Sequence, residues 1–157
     1  MSARLNYFGN TVAMSFMKYI NSAGKAVTDS SLPAVTQELV KIRASQINGC
    51  GYCTDMHTKD ALAAGETQQR LNLVAAWRDA EVFTEPERAA LALAEEGTRL
   101  ADASPGVSDD VWQAVRKHFD EEQQAALIAV IAVINAWNRL NVISGNPAGS
   151  YQPGQFG

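Results

Sequence analysis

Apolar side chains recur along this chain at three- and four-residue intervals, and alternation over the length of a strand is absent. Val12, Phe16, Tyr19, Ile20 and Ala23 form the apolar stripe of an amphipathic helix expected to stop near Gly24. Leu32, Val35, Leu39 and Ile42 mark a second helix, with Pro33 in its first turn and its end near Asn48. Asn48-Gly49 suits a break, because both residues tolerate the left-handed conformation that ends helices. The next helix starts at or beside Cys50 and runs to Ala64-Gly65, and another spans about Thr67 to Ala80. Thr84-Glu85-Pro86-Glu87 is a capping-box pattern that predicts a helix to about Ala101. Ser104-Pro105-Gly106 reads as a loop, Ser108 caps a helix to Phe119, and Glu121 to about Val142 is the last and most apolar element. The pattern predicts one all-α domain of six to eight helices over residues 1–145. A flexible tail, rich in proline and glycine, is expected at 146–157.

Composition narrows the function. The chain has 157 residues, 46% hydrophobic and 19% charged, enough to bury a core without disulfide staples. A net charge of −4 and the lack of any Lys/Arg cluster argue against nucleic acid as a partner. The longest unbroken apolar run, Ala125 to Ile134, is shorter than the ~20 residues a bilayer span needs, so no membrane partner is expected. The first residues mix hydroxyls and Lys18 into their apolar positions, unlike a secretory signal. The expectation is a cytoplasmic protein whose thiols stay reduced unless turned over.

Against that background the cysteines stand out. The chain has two, Cys50 and Cys53, with His57 four residues on. At helical spacing the three share one face. Residues i and i+3 in a first turn have α-carbons roughly 5 Å apart, inside the disulfide range. The helix N-terminus supplies N–H donors and positive potential that favour a thiolate, and His57 could take the thiol proton. Glu38 falls between Val35 and Ile42 on the apolar face of the preceding helix, where a carboxylate needs a partner. If the two helices form an antiparallel hairpin, Glu38 meets His57 and orients it.

Other uses of Cys-x-x-Cys fit less well. Zinc wants more ligands than His118 can add, and covalent haem needs histidine where Thr54 stands. A thioredoxin fold needs a strand before the motif. Glu38 alone is also compatible with an ordinary pairing to an Arg such as Arg43.

The run from Glu38 through Ile-Asn-Gly-Cys50 to Cys53 and His57 resembles the AhpD-like alkylhydroperoxidases of the carboxymuconolactone decarboxylase superfamily. Thr58-Lys-Asp-Ala, Glu87-Arg-Ala-Ala-Leu-Ala and Ile134-Asn-Ala-Trp-Asn-Arg-Leu-Asn141 extend the likeness over a core of about 31–141. The resemblance implies an all-helical fold, trimers or hexamers of one chain, and thiol-dependent reduction of a small peroxide without metal, haem or flavin. It casts Cys53 as the peroxidatic thiol, Cys50 as the resolving one, and His57 with Glu38 as the proton relay. An external dithiol, on a lipoyl or thioredoxin-like protein, would close the cycle. Some relatives carry histidine just before the second cysteine; here Tyr52 stands there.

Asn135, Asn138 and Asn141 recur at three-residue intervals and read first as helix-to-helix hydrogen bonds, with channel lining as the alternative. Trp77, Trp112 and Trp137 read as core or interface anchors, and Tyr151 and Phe156 as docking on a neighbouring subunit or disordered. Two other functions compete. The superfamily's lactone decarboxylation has no use for paired thiols, whereas a non-catalytic redox-sensing oligomer would use the same ones.

Overall fold

The computed structural model describes residues 2–102 and 106–155. Among them are seven α-helices and no strand: α1 (Thr11–Thr28), α2 (Ala34–Ile47), α3 (Gly51–Ala63), α4 (Gln68–Leu73), α5 (Glu85–Thr98), α6 (Asp109–His118) and α7 (Glu121–Ser144). The all-α expectation holds. Ser104, Pro105 and Phe156 lie outside the described residues.

Local chemistry sets most boundaries. Asn10, Thr67, Ser108 and Asp120 each accept a backbone N–H at the start of their helix. Thr84 and Glu87 complete the expected capping box on α5. Gly49, at φ +65°, turns α2 into α3, and Gly145, at φ +70°, ends α7.

α2 is the hub, packed against α3, α5 and α7, and α7 also rests on α1. By length and composition α7 could cross a bilayer; here Leu127, Val130 and Ile131 are buried in the main core with Val40 and Leu93. Amides tie α7 to α2. Asn48 Nδ2–H donates to Asn135 Oδ1 (2.9 Å) and Asn138 Oδ1 (2.8 Å), and Asn138 Nδ2–H donates to Ser45 Oγ (3.0 Å).

Three expectations need correction. α1 runs past Gly24 to Thr28 and buries Ala13, Ile20 and Val27, leaving Val12, Phe16 and Tyr19 exposed. The helix expected over 67–80 breaks after α4 into a 3-10 segment, Val74–Asp79. The break seats Trp77 in the core, where its Nε1–H donates to Glu95 Oε1 (3.0 Å). Burial pushes the Glu95 carboxyl up, but donors from Arg78, Trp77 and Arg43 outweigh it and hold it below the usual range. Arg43 therefore belongs to Glu95, not Glu38.

The third correction is the tail. Residues 146–155 fold back along α3, and Tyr151 is buried within its own chain rather than offered to a neighbour. Its hydroxyl donates to Asp60 Oδ1 (2.8 Å), Lys59 Nζ donates to Tyr151 O (2.9 Å), and Gly149 N–H donates to Asp55 Oδ2 (3.1 Å). Proline and glycine composition says only that no helix forms; it does not exclude docking by side chains.

Candidate active site

Cys50 is the N-cap of α3, and its Sγ accepts the Cys53 N–H at 3.3 Å. A sulfur there takes the place of the usual capping oxygen and sits where unpaired N–H groups converge. The two cysteines are joined as a disulfide, with α-carbons 5.4 Å apart. Both are buried in a small cluster with Ala44 and Ile134, bordered by Tyr52 and Trp137.

One turn after Cys53, His57 points its Nδ1 at Glu38 Oε2, 2.9 Å away across the α2–α3 hairpin. Lys41, one turn after Glu38, donates to Oε1 at 2.7 Å. Burial pushes the Glu38 carboxyl up, but the hydrogen bond and charge of His57, with Lys41 adding to them, outweigh it and hold the carboxyl at about 2. An ionised carboxylate can only accept, so Nδ1 carries the imidazole proton. Nε2 has no hydrogen-bond partner among the described residues and is the nitrogen without the proton in this tautomer. The hairpin, the Glu38–His57 contact and the disulfide spacing are as the spacing along the chain predicts.

Beside these lies a cavity of about 1060 Å³ between α1, α3 and α7, and both Cys53 and His57 line it. Met17, Ile20, Ile134 and Trp137 give it an apolar wall, and Lys41 and Asn141 are among its polar lining. Burial and the Asp55 charge push the Tyr52 phenol above its usual range. It keeps its proton at neutral pH, so it is available as a donor and not as a base.

Asn141, which spacing reads first as a helix-to-helix bond with channel lining as the alternative, lines the cavity, and its contact with a thiol is what spacing alone does not predict. Its Nδ2–H donates to Cys53 Sγ at 3.5 Å, while Asn146 donates to its Oδ1 at 2.9 Å and fixes which end of the amide faces the sulfur. Asn135 and Asn138 make helix-to-helix bonds as expected; Asn141 alone of the three reaches the thiols. Lys41 had a signal, since Glu-x-x-Lys places the pair on one helix face. His118 ends α6, and among the described residues no three His, Cys, Asp or Glu side chains gather as a metal site requires.

The model of the carboxymuconolactone decarboxylase family matches residues 15–96, a stretch that holds Glu38, both cysteines and His57. The chain is 42% identical over 150 residues to the uncharacterized protein YdfG of Bacillus subtilis (strain 168), covering 96% of this chain and 99% of that one. Its fold is similar to that of ATU0492 of Agrobacterium tumefaciens, a protein of unknown function proposed as the antioxidant defence protein AhpD. The TM-score is 0.88, with 33% identity over 96% of this chain and 100% of that one. The debrominase Bmp8 shares the fold at TM-score 0.74 and 19% identity, over 84% of this chain and 70% of that one. With more than half the chain matched by the family model and the fold matched end to end, this protein belongs to the carboxymuconolactone decarboxylase family as an AhpD-like member.

Proposed function

We propose that the protein is a thiol-dependent peroxidase of the alkylhydroperoxidase type. The observation that carries this reading is a Cys-x-x-Cys disulfide whose Cys53 shares a cavity with an imidazole oriented by a carboxylate. In the reduced protein, His57 Nε2 takes the Cys53 proton, and the Asn141 N–H donor and the α3 N-terminus favour the thiolate. The thiolate attacks one peroxide oxygen and the O–O bond breaks. His57 returns the proton to the leaving alkoxide, and Cys53 becomes a sulfenic acid. Cys50 condenses with it, releasing water and forming the disulfide; an external dithiol then restores both thiols.

The size and apolar wall of the cavity favour organic hydroperoxides over hydrogen peroxide. Self-association belongs to the same proposal: exposed Val12, Phe16 and Tyr19 on α1 and Ile143 on α7 are a surface that subunit contacts would cover. So does a cytoplasmic setting, where a reducing pool can recycle the thiols.

The test is consumption of cumene hydroperoxide by the protein with dithiothreitol. Turnover is expected to vanish in Cys53→Ser and Cys50→Ser, with Cys50→Ser still undergoing one oxidation event. Reduced wild-type protein should lose two hydrogens by mass on exposure to the peroxide, localised to the peptide holding both thiols. A Cys53→Ser variant that turns over at the wild-type rate sinks the reading.

A further inference from the structure

The disulfide lies between two chemically different faces of α3. Tyr52, Cys53, Met56 and His57 line the apolar cavity toward α1 and α7. Cys50, Gly51, Thr54, Asp55 and Thr58 line a shallower depression of about 680 Å³, open to solvent, whose far wall includes Ser45 and Gln46 of α2. Among the described residues none lines both. Helical periodicity makes the division, since 51, 54, 55 and 58 share one face while 53, 56 and 57 share another.

We propose that the two halves of the cycle use these two faces. The peroxide meets Cys53 from the cavity, and a slender dithiol reductant meets Cys50 from the depression. The proposal rests on the thiol–disulfide cycle above and adds where the electrons enter.

Three observations support this. Thiol–disulfide exchange goes through attack on one sulfur with the other as leaving group, and the better-stabilised thiolate leaves faster. Attack on Cys50 leaves the charge on Cys53, where the Asn141 N–H at 3.5 Å receives it; Cys50 has its own donor in the Cys53 N–H at 3.3 Å, so leaving-group stability permits this direction and access selects it. The same step regenerates the thiolate that the next peroxide needs. Attack on Cys53 would instead leave a mixed disulfide in the cavity, where the peroxide must bind. Finally, the approach to Cys50 is open on the Gly49 side, where an added β-carbon would meet nothing within 4 Å, and is narrowed on the Gly51 side, where such a carbon would meet Ala148 of the docked tail at 3.4 Å. With Cys50 only 2% exposed, a thin dithiol fits this approach better than a broad protein surface does.

The chemistry balances. One reductant thiol loses its proton and attacks Cys50 Sγ; the Cys50–Cys53 bond breaks and its electron pair leaves on Cys53. The second reductant thiol, also deprotonated, attacks the reductant's own sulfur in the mixed disulfide. It expels Cys50 as a thiolate and closes the reductant's disulfide. Two electrons and two protons pass from the dithiol to the protein.

The direct test maps the first adduct. The disulfide form, prepared with diamide if needed, is treated briefly with 2-mercaptoethanol, quenched with N-ethylmaleimide and read by tandem mass spectrometry. The expected product carries mercaptoethanol on Cys50 and maleimide on Cys53; the reverse pattern overturns the proposal. As a second arm, Thr54→Phe and Gln46→Trp narrow the depression from opposite walls. Each is expected to slow reduction by dithiothreitol roughly tenfold or more, and to leave oxidation by one equivalent of cumene hydroperoxide unchanged. Reduction at the wild-type rate in both variants, or equal slowing of both half-reactions, also overturns it. Because mapping starts from the disulfide and uses no peroxide, it gives its answer even if the peroxidase reading fails in the turnover assay.

Discussion

At Glu38, burial opposes ionisation while His57 and Lys41 favour it, and the partners win. Folding therefore lowers this carboxyl from 4.5 to about 2, so its stabilising contribution is complete above pH 4.5 and is lost as pH falls toward 2. Glu38→Gln removes that acid-side slope. Wild-type and variant melting temperatures, separated at about pH 6, are expected to draw together below pH 4.5 and to converge only near pH 2. The same variant leaves the imidazole tautomer unspecified, and the peroxide step should slow roughly 10–100-fold. Asn141 makes a different prediction. Asn141→Ala, in a Cys50→Ser background, should slow iodoacetamide alkylation of Cys53 roughly tenfold through loss of a donor to the thiolate. Unchanged alkylation would remove Asn141 from the site. Glu38 was legible from sequence because helical spacing puts it on an apolar face, where a carboxylate needs a partner. Asn141 was not, because its contact with Cys53 spans 88 positions and depends on how α7 crosses α3.

Elements built from local signals came through with few changes: the capping box of α5, the Asn48-Gly49 break and the two helices it joins. Those that depend on what covers them did not. Apolar residues run most of the way round α1, so the pattern cannot say that Ala13, Ile20 and Val27 face this chain's core while Val12, Phe16 and Tyr19 do not. The break after α4 likewise answers a tertiary demand, the burial of Trp77 on Glu95. The docked tail offers a test at this scale. Burial and then the Asp60 carboxylate push the Tyr151 hydroxyl up to about 12. Folding thus holds that proton more tightly, and its contribution is present below pH 10 and is lost as pH rises toward 12. Tyr151→Phe is expected to lower the neutral-pH melting temperature by about 2–4 °C, from loss of a bond worth about 1 kcal/mol. It should also flatten the alkaline decline, read by circular dichroism on heating at each pH.

For the whole molecule, the cavity between α1, α3 and α7 sets what reaches Cys53. Met17→Trp places a larger side chain in its apolar wall. It is expected to slow oxidation by cumene hydroperoxide roughly tenfold or more, with hydrogen peroxide nearly unaffected. Equal effects on both peroxides would mean that the cavity does not select. The amides of Asn48, Asn135 and Asn138 bear on this selection from a distance. An apolar helix against an apolar wall has little to resist sliding along its own axis. A shift of α7 by one turn, about 5.4 Å, would strand these groups, whose bonds need α2 and α7 at one relative height. The same helix brings Trp137 and Asn141 to the sulfurs. The polar clasp on α2 thus acts as a detent: it fixes the axial register of α7, and with it the depth at which a substrate meets the thiol.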